Sequence, residues 1–168
     1  MKIVYPWTRP ETPRLNRSQP KEQTVTAPNP DVERFVRTQA GGTYEQALAE
    51  VRAGRKRSHW IWFVFPQARG LGHSHMAELY GIAGLAELDA YVAHPLLMPR
   101  LLEVSQALLD LPGCDPVAVL GGIDALKVRS CMTLFELASD EPVFGAVLGK
   151  YYGGSRDELT LGIVGRWR

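Results

Sequence analysis

Cysteine is scarce in this chain: Cys114 and Cys131 are the only two among its 168 residues. Their spacing matches no metal site or redox motif, and two distant thiols do not make a disulfide framework. Proteins that keep their thiols reduced are typical of the cytoplasm. We therefore expect a cytoplasmic protein that folds without a metal ion, a cofactor or a disulfide.

Long apolar runs are missing as well. No segment approaches the roughly 18–20 apolar residues that a membrane-spanning helix requires. The first residues, MKIVYPWTRPETPR, have no long apolar stretch and no small-residue cleavage site, so they do not resemble a secretory signal. A net charge of +1 is too small by itself to predict a nucleic-acid partner. We expect no membrane association and no general affinity for nucleic acid.

The rest of the composition is that of an ordinary folded protein. Hydrophobic residues make up 45% of the chain and charged residues 22%, which is enough for one domain with a sizeable core. From residue 30 to residue 168, apolar residues recur at helical spacing, without convincing strand alternation. Only HWIWFVF fits a buried strand as well as a buried helix. The sequence predicts an all-α fold, a single compact domain of about seven to nine helices.

Residues 1–29 differ from the rest and predict an extended, proline-rich, basic arm. Six of the twelve prolines lie within the first 30 residues, and before residue 30 five Lys and Arg residues stand against two Glu. Such a composition favours polyproline-like or disordered chain over helix. The arm nevertheless begins with apolar residues, among them Ile3, Tyr5 and Trp7. We expect Trp7 to dock in an apolar groove, on its own domain or on the second copy of a homodimer.

The segment RKRSHWIWFVFPQARGLG, residues 55–72, places three cations before four of the nine Trp and Phe residues. A helix that is apolar on all sides belongs in the centre of a fold, which makes Trp60 and Trp62 core candidates. Gln67 and Arg69 follow on a turn that contains glycines. Polar groups on a loop next to aromatic residues are also typical of a ligand pocket.

Lys127 is the second unusual residue. It lies off the polar stripe of the helix that we expect to begin at Asp124, a stripe formed by Arg129, Glu136 and Asp140. A lysine in that position either extends its stem along apolar surface or points into a site as an anion ligand. Ser130 and Thr133 bring hydroxyl groups to a largely buried face of the same helix. These hydroxyls either bond to the backbone within the helix or face a ligand.

Familiar catalytic and cofactor motifs are absent. GHSHM lacks the closing glycine of a nucleophile elbow, and GLGHSH lacks the third glycine of a dinucleotide fingerprint. His73 and His75 have no third ligand in the sequence nearby, which argues against a metal site. The cations of RKR beside tryptophans fit single-stranded nucleic acid through charge and stacking, but a solvated helix end is the commoner role of such a cluster.

Several blocks of the sequence resemble the DUF1810 family, a bacterial group of single-domain proteins without an established activity. The blocks are RAGRKRSHWIWFVFPQARGLG, ELYGI, AYVAHPLL, DALKVRSCMTLF and VFGAVLGKYYGG. The resemblance extends from about Pro30 to Leu161 and implies an all-α fold, with helix for the aromatic run. Cys131 stands where members more often have serine. His73, His75 and the arm lie outside the resembling motifs.

Both unusual blocks fall within this resemblance, and we expect them to meet in one aromatic-walled pocket for a small anionic ligand, such as a nucleotide or an ADP-ribose-type molecule. In it, Trp60 or Trp62 would stack on a ring, and Lys127 or Arg69 would hold phosphate. The candidate ligand-binding residues are His59, Trp60, Trp62, Gln67, Arg69, Lys127, Ser130 and Thr133.

Whether the protein is an enzyme is left open by its sequence. Neither block holds a carboxylate in the position of a general acid or base, and hydrolysis of an N-glycosidic or phosphoester bond is the first reaction to test. The alternative is a non-enzymatic interaction module, in which the arm and the RKR cluster bind a partner protein or nucleic acid.

Overall fold

A computed structural model of the protein describes residues 31–167, which form ten α-helices. The only β-type pairing within this range is an isolated parallel bridge between Ala68 and Ile82. The helices are α1 (Glu33–Gln39), α2 (Thr43–Arg52), α3 (Ile61–Val64), α4 (His75–Tyr80), α5 (Leu85–Ala93), α6 (Leu97–Asp110), α7 (Pro116–Leu120), α8 (Gly122–Ala138), α9 (Pro142–Tyr152) and α10 (Glu158–Gly165).

The predicted all-α class is confirmed, with more helices than expected. The additional element is α7, which has five residues. Hydrophobic periodicity needs a longer window to be recognised, so helices this short leave no clear pattern in the sequence. In residues 31–167 no helix is long and apolar enough to cross a membrane. Residues 1–30, with the predicted arm, Trp7 and the homodimer contact, lie outside the described part of the chain.

Helix α8 is the centre of the domain. It packs against α7, α9 and α10 and also contacts α3 and α5. Its residues 130–135 are all buried. Aromatic rings continue the core outward from this helix, because Phe135 contacts both Phe144 and Tyr91, and Tyr91 meets Phe35 edge-on. Burial of each side chain of this size stabilises the fold by about 1.5–3 kcal/mol, before the entropy lost on ordering the chain is subtracted.

The aromatic run adopts a single helical turn, not the longer helix that we expected. Helix α3 ends at Val64, and Phe65 leaves the helical region with φ −119° and ψ 75°. Pro66 explains the break, because proline disfavours helical backbone at the residue before it and has no N–H to donate. Trp60, Phe63 and Phe65 are buried as predicted, whereas Trp62 is only half-buried.

Helix α8 begins at Gly122, two residues before the Asp124 start that the sequence suggested. Asp124 therefore lies in the first turn of the helix, where a carboxylate is favoured by the helix dipole. One of its oxygens lies 2.9 Å from the Lys56 ammonium and the other 3.3 Å from the Lys127 ammonium. This placement joins the basic segment at residues 55–57 to the start of the central helix.

Candidate ligand-binding site

An open cleft of about 750 Å³ lies between the start of α1, the segment before α4, α4 itself and the start of α5. Among its lining residues, Arg69, His73, His75 and Glu78 have exposed side chains. These four side chains make no hydrogen bond or ion pair with any other residue of the 31–167 range. The cleft therefore presents one guanidinium, two imidazoles and one carboxylate that are available to a ligand.

Arg34 forms a fixed wall of this cleft. Its guanidinium pairs with the Glu87 carboxylate, donates to the carbonyl oxygens of Leu79 at 2.8 Å and Gly81 at 3.1 Å, and lies 4.5 Å from the centre of the Phe35 ring. The side chains of Arg34 and Glu87 are only 11% and 9% exposed. Because its donors are occupied, Arg34 serves as a support that ties α1 to the α4–α5 connection.

The backbone at Arg69 is held by the bridge to the segment after α4. The Arg69 amide donates to the Ile82 carbonyl at 2.9 Å, and the Ile82 amide donates to the Gln67 carbonyl at 2.8 Å. Gly81 is required for this close approach: a Cβ atom there would lie 2.8 Å from the Arg69 Cα and from the Ala77 carbonyl oxygen. Two chain segments thus converge on the base of the Arg69 side chain.

We expect Gly81→Ala to lower the free energy of unfolding by about 1–3 kcal/mol, because the added methyl group collides with backbone atoms that cannot move aside. Gly84→Ala is the matched control, since Gly84 has extended backbone and open space around it. Urea denaturation of both variants tests this. Equal stabilities of the two variants would contradict the close packing at Gly81.

A second, much smaller cavity adjoins the cleft. It has a volume of about 10 Å³, room for roughly one water molecule. Trp62 and Gln67 contribute to its lining, and Gly72 lines both this cavity and the cleft. Three of the predicted ligand residues, Trp62, Gln67 and Arg69, therefore lie around the same stretch of backbone.

Lys127 joins this group from the central helix. Its ammonium lies 4.6 Å from the centre of the Trp62 ring and 3.3 Å from an Asp124 carboxylate oxygen, and the side chain is 20% exposed. A cation over an indole face is attracted by the negative potential of the ring. Lys127 thus occupies one face of Trp62, and a ligand ring could stack there only if the lysine moved away.

The other predicted residues are placed differently. Trp60 is buried, and its indole N–H donates to Glu50 at 2.8 Å. The Ser130 hydroxyl donates to the Leu126 carbonyl at 3.1 Å, and the Thr133 hydroxyl donates to the Arg129 carbonyl at 2.9 Å. Both hydroxyls therefore donate to the backbone within the helix, which is one of the two possibilities that the sequence left open. His59 is exposed. The role of all eight residues in ligand binding stays a prediction.

Sequence reasoning set aside His73 and His75 and did not consider Glu78, although all three line the cleft. The histidines were considered only as metal ligands, and residues 31–167 hold no cluster of three or more His, Cys, Asp or Glu side chains arranged for a metal ion. The usable signal was the position of His73, because an exposed polar residue on a glycine-containing loop next to an aromatic core is frequently a binding residue.

Glu50 organises the basic segment beside the aromatic run. Its carboxylate accepts hydrogen bonds from the Ser58 hydroxyl at 2.6 Å, the Arg57 amide at 2.7 Å, the Trp60 indole at 2.8 Å and the Ser58 amide at 3.0 Å. Burial alone would raise the pKa of Glu50, but these hydrogen bonds outweigh it and lower the pKa from 4.5 to about 2. The ionised carboxylate therefore fixes the path of residues 57–60.

Together these features describe an all-α domain whose candidate site is a polar cleft without a metal cluster among the described residues. Residues 29–164 match the model of a family described as protein of unknown function, DUF1810. The chain belongs to this family.

A solved structure is similar to this chain along most of its length. The conserved hypothetical protein Rv1873 from Mycobacterium tuberculosis, known from a crystal structure, is 47% identical to it and superposes with a TM-score of 0.78. The match covers 81% of this chain and 97% of that one. A comparison with curated proteins found no match.

Proposed function

We propose that the protein binds a small phosphate-bearing ligand, of nucleotide or ADP-ribose type, in the cleft. The observation that carries this proposal is the presence of Arg69, His73 and His75 on one cleft with their side chains unpaired among residues 31–167. The cleft volume of about 750 Å³ lies within the range of roughly 300–1,000 Å³ that is usual for small-molecule sites.

The four unpaired side chains of the cleft suit the two parts of such a ligand, its phosphate and its sugar. An arginine guanidinium can hold two phosphate oxygens at once, and imidazole N–H groups add further donors. The Glu78 carboxylate is an acceptor only, so it suits the hydroxyl groups of a sugar and repels phosphate. A ligand that carries both phosphate and sugar uses all four groups, whereas inorganic phosphate uses only the cationic ones.

The neighbouring cavity, which has room for about one water molecule, lies at the edge of the proposed site. Gln67 can bond a polar edge of the ligand next to Gly72, and Lys127 supplies a further cation above Trp62. We place the phosphate at Arg69 and not at Lys127, because the Lys127 ammonium already has both Asp124 and the Trp62 ring as partners. Trp60, Ser130 and Thr133 then support the site without touching the ligand.

Titration calorimetry of the full chain with ADP-ribose, AMP and inorganic phosphate tests this function. We expect saturable binding of ADP-ribose or AMP that is tighter than that of phosphate. Arg69→Met should weaken it about tenfold or more, because hydrogen bonds to a charged group are worth about 1.5–3 kcal/mol. Analysis of the same mixtures for released ribose or phosphate tests whether binding leads to hydrolysis of an N-glycosidic or phosphoester bond.

Arg52→Met is the matched control for this titration. Arg52 is 60% exposed, pairs with Glu103 and is not part of the cleft lining. Its substitution removes the same charge from the protein and should leave the affinity within about twofold. Equal losses in the two variants would show that only net charge matters. An absence of binding by all three compounds would by itself rule out the proposed ligand class.

A further inference from the structure

The start of α8 carries an apolar surface that no other described residue covers. Ile123 and Leu126, one turn apart on this helix, are 74% and 62% exposed, and Val117 on α7 is 53% exposed. Farther along the same helix, residues 130–135 are all buried. Exposed large aliphatic side chains in adjacent turns of one helix mark a surface suited to a partner.

A basic edge lies against this surface. The Lys56 amide donates to the Val119 carbonyl at 2.7 Å, and the Lys56 ammonium lies 2.9 Å from Asp124, so the segment around Lys56 packs on the junction of α7 and α8. Arg55 and Arg57, on either side of Lys56, are exposed. Their side chains make no ion pair with any acidic residue in the described range. Two cations without an ion pair among the described residues therefore flank the residue that packs on the α7–α8 junction.

Stacking with nucleic-acid bases is disfavoured at this edge. Single-stranded nucleic acid binds where charged grooves are combined with open aromatic faces. Trp60 is 2% exposed and lies beneath the Lys56 ammonium, and Trp62 has the Lys127 ammonium over its ring. The side chains that are open to a partner are aliphatic and cationic, which suits carboxylates and apolar side chains better than bases.

We propose that this surface, defined by Val117, Ile123, Leu126, Arg55 and Arg57, binds an acidic amphipathic helix of a partner protein. The apolar face of such a helix covers the aliphatic residues, and its carboxylates pair with the two arginines. The inference is independent of the proposed ligand cleft, since the two sets of residues do not overlap.

Charge argues against two other possible occupants of this surface, the arm of this chain and a second copy. The arm of this chain, residues 1–29, has five Lys and Arg residues against two Glu, so the arginines repel it. In a two-fold symmetric contact the same patch meets itself. A second copy would then bring the same five residues, with two more arginines and no carboxylate to pair with them.

The test uses a synthetic helical peptide with leucines on one face and glutamates on the other, titrated into the full chain and followed by fluorescence anisotropy. We expect saturable binding that weakens about tenfold or more in the double variant Ile123→Gln with Leu126→Gln, and similarly in Arg55→Glu with Arg57→Glu. Because all four residues are exposed, both double variants should fold. If one of them does not fold, the other still tests the proposal.

Leu159→Gln is the matched control, since Leu159 is 69% exposed on α10, and it should not change the affinity for the peptide. Absence of saturable binding would overturn the proposal, as would equal weakening by Leu159→Gln. Tighter binding of a single-stranded oligonucleotide than of the acidic peptide would overturn it in favour of nucleic acid. A dimer in sedimentation that Leu126→Gln dissolves would overturn it in favour of a second copy.

Discussion

Arg34→Met is expected to lower the free energy of unfolding by about 3–5 kcal/mol, the usual cost of removing one partner of a buried ion pair. The substitution leaves the Glu87 carboxylate, which is 9% exposed, without its cation. It also leaves the carbonyl oxygens of Leu79 and Gly81 without the donors that now reach them. Methionine fills much of the space over the Phe35 ring, so the loss is mainly electrostatic. Chemical denaturation monitored by circular dichroism measures it.

Arg37→Met on the same helix is the control for this measurement. Arg37 is 66% exposed and pairs with Asp31, itself 59% exposed. An ion pair this open to solvent contributes about 0–1 kcal/mol. If the two variants were equally stable, the Arg34–Glu87 pair would not be the support of the cleft wall that the structure indicates.

Glu50→Gln is expected to lower the free energy of unfolding by about 2–4 kcal/mol at neutral pH, because hydrogen bonds to a charged group are worth about 1.5–3 kcal/mol each. The glutamine amide also points an N–H group at donors that now bond to a carboxylate oxygen. The effect should depend on pH. The folded-state pKa of about 2 lies below the ordinary 4.5, so the carboxylate contributes stability above pH 4.5 that is lost as the pH falls towards 2. The difference between wild type and variant should shrink across that window.

Glu45→Gln provides the comparison on the same helix. Glu45 is 63% exposed and lies 3.6 Å from Arg100, so its substitution should change stability by less than about 1 kcal/mol. Thermal melts of wild type and both variants from pH 7 to pH 2 give the required curves. A Glu50→Gln penalty that stays constant down to pH 2 would show that the carboxylate is not held ionised by its donors.

The helical class and much of the core followed from the sequence because they rest on local patterns. Apolar residues at helical spacing after residue 30 predicted the helical class, and the helices at residues 97–110 and 142–152 have buried apolar residues at that spacing. The apolar pattern of the aromatic run fitted a strand as well as a helix, and the family resemblance favoured helix. Pro66 carried the signal that the helix ends at Val64, since proline restricts the residue before it.

The cleft, by contrast, depends on residues far apart in the sequence. Arg34 and Glu87 are separated by 53 positions and Arg34 and Leu79 by 45. A periodic pattern covers only neighbouring residues, so it cannot predict pairs this far apart. Lys127 was recognised as unusual because it departs from the polar stripe of its helix. Its partners, the Trp62 ring and Asp124, became evident only when the packing of α3 against α8 was known.

NMR chemical-shift mapping is the sharpest test of the claim that Arg69, His73 and His75 bind a phosphate-bearing ligand. The backbone amides of the full chain are followed while ADP-ribose is added. We predict that the largest changes occur at residues 69–75, with smaller ones at Gln67 and Lys127. Unchanged spectra, or changes confined to residues 55–57 and 123–126, would contradict the claim.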